Sequence, residues 1–118
     1  MRLHSFPTRR SSDLAQAITR AQARGISVIL AGMEAPPNYG RDYAVAFHKV
    51  YPALAAQYHV ALVPFLLQGV AGNETLNQRD GIHPTVAGAH IVADNVWAVL
   101  KPIAEAQRDA PHGGRPGS

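Results

Sequence analysis

The sequence predicts an α/β domain built on a parallel sheet, and three observations carry that prediction. Segments with helical apolar spacing alternate with short apolar runs along the chain. The runs ISVILAG (26–32) and HVALVPF (59–65) are apolar and rich in β-branched residues, without polar alternation, as strands buried on both faces are. The segment between them has a helical pattern, so strand, helix and strand follow in the order that a right-handed parallel crossover requires.

The elements follow in order. Leu14, Ile18 and Ala21 recur at helical spacing from Asp13 to Arg24, with Ser12 placed to cap the start and Gly25 where a left-handed terminator belongs. MEAPPNYG (33–40) has the prolines and glycine of a loop. A second helix is predicted over Arg41 to Gln57, with Phe47, Val50, Tyr51, Leu54 and Tyr58 on one side. Pro52 cannot donate a backbone hydrogen bond, which predicts a kink or break there. A third helix is predicted to open at Pro84, run to about Leu100 and bury Ala89, Val92, Val96, Val99 and Ile103. The tail DAPHGGRPGS has a disordered composition, and 104–118 is expected to lie outside the domain. Two strands leave a parallel sheet with uncovered edges, which points to part of a domain and to self-association through an exposed strand edge.

At 118 residues, 47% of them hydrophobic, the chain suits one small globular domain. It has no apolar run of membrane-spanning length and no apolar signal-peptide core, and the absence of cysteine excludes disulfides and thiolate metal sites. The isoelectric point near 9.7 raises the question of nucleic acid. The excess charge, however, lies in residues 1–24, with five Arg against one Asp, whereas 25–103 carry four basic and five acidic side chains. No basic stripe interleaved with aromatics exists, which argues against a nucleic-acid partner.

The stretch QRDGIHPTVAGAH (78–90) carries the chemistry. Pro84 biases His83 towards extended backbone, and Gly81 allows a tight reversal that brings Asp80 back to the imidazole. A carboxylate bonded to Nδ1–H would fix the tautomer and leave Nε2 to accept a proton, as a general base must. Two readings stay open from the pentapeptide alone: such a dyad, or a turn whose Asp and His bond only local backbone. Its place after the second strand, where open α/β sheets put their ligand sites, favours the dyad. A zinc site from Asp80, His83 and His90 has neither cysteine nor an HExxH motif behind it, and no metal is expected. His48 and His59 read as surface or structural polar residues; His4 and His112 fall in the tails.

DGIHP resembles the last block of the SGNH (GDSL-type) hydrolases, in which Asp-x-x-His supplies two members of a Ser-His-Asp triad. VILAGMEAPPNYGRDYAVAFHKVYPALAAQYHVALVPFLL resembles the bacterial thioesterase, lysophospholipase and arylesterase branch, so that the likeness covers about residues 14–103. The resemblance implies the C-terminal part of a flavodoxin-like three-layer α/β/α domain. It implies that Asp80 orients His83 and that Pro37, Asn38, Tyr39 and Gly40 lie beside the acyl-binding cleft with part of 65–79. It also implies hydrolysis of small acyl esters or thioesters without a cofactor, and a periplasmic or secreted parent.

The chain departs from the family's pattern in one decisive way: it has no Gly-Asp-Ser block, no oxyanion glycine and no Gly-x-Asn-Asp block. In SSDL (11–14) serine precedes aspartate and no strand precedes either; Ser27 falls within the predicted strand, and Ser5 and Ser118 fall in tails. The serine whose proton His83 would take is thus not in this sequence, and the chain alone is expected to be inactive. The rival reading is a non-catalytic binding module on the same scaffold. Residues 1–13 resemble translated sequencing-adapter DNA and are expected to be non-native or disordered. Sequencing the source DNA upstream of the Leu14 codon is therefore expected to replace them with a frame reaching a Gly-Asp-Ser block. A genuine Met1–Asp13 would instead leave the chain without a nucleophile and favour the binding module.

Overall fold

The computed structural model describes residues 5–110, with side chains from residue 9 onward. Its elements are α1 (Ser5–Ala23), β1 (Ile29–Ala31), α2 (Arg41–Tyr58), β2 (Ala61–Val63) and α3 (Val86–Arg108), with 3-10 turns at Pro37–Tyr39 and Glu74–Leu76. The α/β class is as expected: β1 and β2 pair in parallel with Ile29 opposite Ala61, Leu30 opposite Leu62 and Ala31 opposite Val63. Both strands are shorter than their apolar runs. Ile26 is tied back to the end of α1, its N–H donating to the Ala21 carbonyl at 3.0 Å, and Pro64 has no N–H with which to extend the ladder.

α1 begins at Ser5 rather than at Asp13, so Ser12 lies within the helix and does not cap it. Tertiary contact accounts for the extension. The Arg10 guanidinium sits 5.0 Å from the Phe47 ring centroid and donates to the Tyr51 hydroxyl at 3.3 Å. The far end is as expected. Gly25, at φ +73°, donates to the Gln22 carbonyl, and with the Ile26 bond this forms a Schellman closure.

α2 continues through Pro52 without the break that the proline allows for. Pro52 and His48, one turn before it, are both exposed, while Phe47, Tyr51, Leu54 and Ala55 anchor the opposite face. Those four residues and Leu30 form the core cluster, with Leu14, Met33, Tyr43, Val50 and Tyr58 packed around it. The helix ends at His59 in the left-handed region, with the Val60 N–H on the Ala55 carbonyl.

α3 starts later and ends later than the sequence suggests. Thr85, not Pro84, precedes the first helical residue, and its Oγ1 accepts from the Gly88 N–H at 3.2 Å. Pro84 instead sits in a short antiparallel bridge with Asn77. The helix passes through Pro102 to Arg108, so residues 104–108 are helical; 1–4, 111–118 and with them His4, His112 and Ser118 lie outside the described residues. Val92, Val96, Val99 and Ile103, expected to be buried, are only half-buried, and Ala89 is exposed. The buried small residue of that turn is its neighbour Gly88, where a Cβ would come within 2.3 Å of the Leu76 carbonyl oxygen. This close approach seats α3 on the loop that carries residues 80–83.

Alanine at Gly88 ordinarily favours a helix by up to about 1 kcal/mol. Here the collision with the Leu76 backbone wins. Gly88→Ala is expected to destabilise the chain by about 1–3 kcal/mol, read as a lower urea midpoint. A midpoint that rises would show that the loop yields freely.

Candidate active site

The loop leaving β2 is held by asparagine side chains before it reaches the Asp-Gly-Ile-His turn. Asn95, on α3, donates to the carbonyls of Leu66 at 3.0 Å and Gln68 at 2.9 Å. Asn77 donates to those of Val70 and Asn73, both at 2.8 Å, and Val70 itself is completely buried. Asn73 caps the Glu74–Leu76 turn by accepting from the Thr75 N–H and hydroxyl. Sequence reasoning passed over all three asparagines. No spacing rule marks a side chain that bonds carbonyls up to 29 positions away.

Residues 78–83 then close on themselves. The Gln78 N–H donates to the His83 carbonyl at 2.7 Å, the Thr85 N–H to Leu76 at 2.9 Å, and the Gly81 N–H to Gln78 at 2.9 Å. Gly81 has φ +70°, a conformation that side-chain-bearing residues rarely adopt. Within this closed loop the Asp80 carboxylate is fully engaged. Oδ1 accepts the N–H groups of Ile82 at 2.9 Å and His83 at 3.0 Å, while Oδ2 lies 2.5 Å from His83 Nδ1. Both open readings are thus realised together: one carboxylate oxygen bonds local backbone and the other bonds the ring.

An ionised carboxylate can only accept, so Nδ1 carries the hydrogen and Nε2 is the basic nitrogen of the neutral ring. No partner of Nε2 occurs among the described residues, and the His83 side chain is 70% exposed. The His83 ring, followed by the backbone N–H groups of His83 and Ile82, holds the Asp80 carboxyl down at about 2, against an ordinary 3.8. Because the folded value is the lower one, the interaction is complete above pH about 4 and is lost as pH falls through about 2.

Of the other expected site residues, Pro37, Asn38 and Tyr39 form a 3-10 turn and Gly40 caps it; all four are exposed. Tyr39 stacks on Tyr43 with centroids 4.9 Å apart. This turn follows β1 and the dyad loop follows β2, so both leave the carboxyl ends of the two parallel strands. No hydrogen bond or ring contact joins 37–40 to Asp80 or His83 among the described residues. A second carboxylate–imidazole pair was not anticipated: Glu34 Oε2 lies 2.6 Å from His48 Nδ1, linking the loop after β1 to α2. Ser27 accepts from Gln107 at the other end of the sheet, and Ser11 and Ser12 lie on α1. Among the described residues no three of His, Cys, Asp and Glu converge as metal ligands, and no helix is long and apolar enough to cross a membrane.

The dyad can be tested by following the Asp80 carboxyl carbon by NMR. Its midpoint is expected near 2, rising in His83→Ala but staying below 3.8 because the two N–H donors remain. An unchanged midpoint in His83→Ala would mean that the ring bond does not form in solution.

The fold and this turn can be compared with known proteins. The chain is 46% identical over 97 residues to Esterase TesA of Pseudomonas aeruginosa, covering 82% of this chain and 48% of that protein. It is 33% identical over 97 residues to thioesterase 1/protease 1/lysophospholipase L1 of Escherichia coli, covering 82% of this chain and 47% of that protein. The solved structure of AlinE4, described as a SGNH-hydrolase family esterase, matches with a TM-score of 0.61 at 38% identity, covering 85% of this chain and 51% of that one. No family model matches. The chain thus spans about half the length of the curated relatives it matches. With its parallel strand pair, its helices and its sequence all shared with these proteins, the chain belongs to the SGNH hydrolase family.

Proposed function

We propose that residues 14–103 are the Asp- and His-bearing portion of a serine esterase or thioesterase acting on small acyl esters or thioesters. In this reading residues 1–13 are foreign to the domain. The observation that carries the reading is the 2.5 Å Asp80 Oδ2–His83 Nδ1 contact with Nε2 left accessible, on a loop at the carboxyl end of a parallel strand. The names of the relatives, esterase and thioesterase, support the substrate class.

The chemistry follows the geometry. His83 Nε2 takes the proton of a serine hydroxyl as the serine oxygen attacks the acyl carbonyl. Asp80 stabilises the resulting imidazolium without taking its proton. The tetrahedral adduct collapses as the protonated ring gives its proton to the leaving alkoxide or thiolate. Water, deprotonated by the same nitrogen, then cleaves the acyl-enzyme and regenerates the serine. No metal or organic cofactor is needed in this sequence of steps. The serine must come from outside these 118 residues, and losing a triad nucleophile costs on the order of 10⁶ in kcat. The chain alone is therefore expected to be inert.

The test is a chimera in which residues 25–108 replace the matched segment of Pseudomonas aeruginosa esterase TesA. It is expected to hydrolyse p-nitrophenyl acyl esters, with Asp80→Asn lowering kcat about 10⁴-fold and His83→Ala by more. Full activity in His83→Ala would overturn the assignment. A folded but inert chimera would favour the rival binding module, for which the exposed apolar side chains of Ile82 and Val86 beside the dyad would be the contact surface.

A further inference from the structure

The loop that leaves β1 and the loop that leaves β2 start from one shared point. Gly32 donates to the Val63 carbonyl at 2.8 Å, and its own carbonyl accepts the Leu66 N–H at 2.9 Å. The two backbones run so close there that a Cβ on Gly32 would lie 2.3 Å from the Pro64 carbonyl oxygen. From this point one loop runs through residues 33–40 to α2, and the other runs to the Asp80–His83 turn. They therefore flank the carboxyl end of the sheet, where open α/β folds place their ligands.

The 33–40 loop is fastened to α2 at both of its ends. At the helix end, Tyr39 stacks on Tyr43, and the Gly40 carbonyl accepts the Ala44 N–H at 3.1 Å. At the strand end, Glu34 Oε2 meets His48 Nδ1 at 2.6 Å, across 14 positions of chain. Between the two fastenings lie Pro36 and Pro37, whose fixed φ leaves the loop little slack. Met33 and Ala35, on either side of Glu34, pack towards the core. Neither the Glu34 nor the His48 side chain has another hydrogen-bond partner among the described residues. The chemistry assigned to Asp80 and His83 makes no use of this second pair.

We propose that the Glu34–His48 pair is a positioning device for the substrate. It fixes the 33–40 loop against α2 and so sets the fit of an acyl chain in the crevice between that loop and His83. Tyr39, 42% exposed, gives the crevice an apolar wall. The consequence for the acyl chain rests on the esterase reading above; the fastening of the loop does not. Glu34 and His48 touch no reacting atom, so they act on binding rather than on the chemical step. Both side chains reach water, and exposed pairs of this kind shift an equilibrium by up to about fivefold.

The fastening is tested in the full 118-residue chain. Glu34→Ala and His48→Ala are each expected to speed hydrogen exchange of the Tyr39 and Ala44 amides, which donate to Pro36 and Gly40, by about two- to fivefold. The double variant is expected to be no worse than either single one, and the reciprocal swap, Glu34→His with His48→Glu, to bring the slower rate back. Glu34→Gln is expected to fall between, since its amide oxygen still accepts from Nδ1–H without a charge. The positioning is tested in the TesA chimera that carries residues 25–108. There both alanine variants are expected to raise KM for p-nitrophenyl octanoate by about two- to fivefold while kcat changes by less than about twofold. KM for the acetate, too short to reach the loop, is expected to stay the same, and the reciprocal swap to recover the octanoate KM.

Amide exchange indifferent to both alanine variants, or a reciprocal swap that restores nothing, would overturn the proposal. So would an active chimera whose octanoate KM does not move, or one whose kcat falls equally for both esters, the mark of a general loss of structure. An inert chimera beside the expected exchange pattern counts against the esterase reading alone and supports the fastening.

Discussion

The seating of α2 on Leu30 is the contact on which the other features of this chain depend. Phe47, Tyr51, Leu54 and Ala55 occupy one stripe of the helix and are all buried with Leu30. Full burial of a large apolar side chain is worth about 1.5–3 kcal/mol, so this stripe outweighs the hydrogen bond forfeited at Pro52. It also holds the helix that spans from the end of β1 to the start of β2 and so permits parallel pairing. With that pairing, the Pro37–Tyr39 turn and the dyad loop both leave from carboxyl ends of strands. The same stripe recruits α1, through Arg10 on Phe47 and Tyr51.

The dyad loop is stabilised by a different kind of force. Between Val63 and Thr85 few side chains are buried, and Val70 is the one that is completely so. Order there comes from side-chain amides satisfying backbone carbonyls, with Asn95 fastening the loop to α3 and Asn77 folding it on itself. Such bonds are directional, and they fix position more sharply than apolar contact does. Asp80 continues the pattern at the tip, dividing its two oxygens between backbone and imidazole. The turn therefore presents His83 in one orientation while leaving its ring in water.

Membership of the SGNH hydrolase family and coverage of about half its members' length give these forces a common setting. The best-packed part of the chain is the α1–α2–β1 side, and the α3 side is only half-buried. An α/β layer whose second face stays thin has apolar surface left for another body to cover.

Local pattern by itself determined the α/β class, the positions of both strands, the buried stripe of α2 and the Gly25 terminator, and it left the Asp80–His83 pairing as one of two readings of the turn. Each depends on neighbours within a few positions: period 3.6 or 2, a left-handed glycine, or a three-residue turn closed by a proline. Tertiary structure alone decided the rest. α1 extends back to Ser5 because Arg10 finds aromatic partners on α2 some 40 positions away. α3 starts after Thr85 because Pro84 is used in a bridge to Asn77, and Gly88 rather than Ala89 is buried because Leu76 presses on it. Glu34 meets His48, and Asn95 meets Leu66, across gaps that no local period encodes. A sequence records which residues are able to form such bonds; which of them meet is settled only when the chain brings distant segments together.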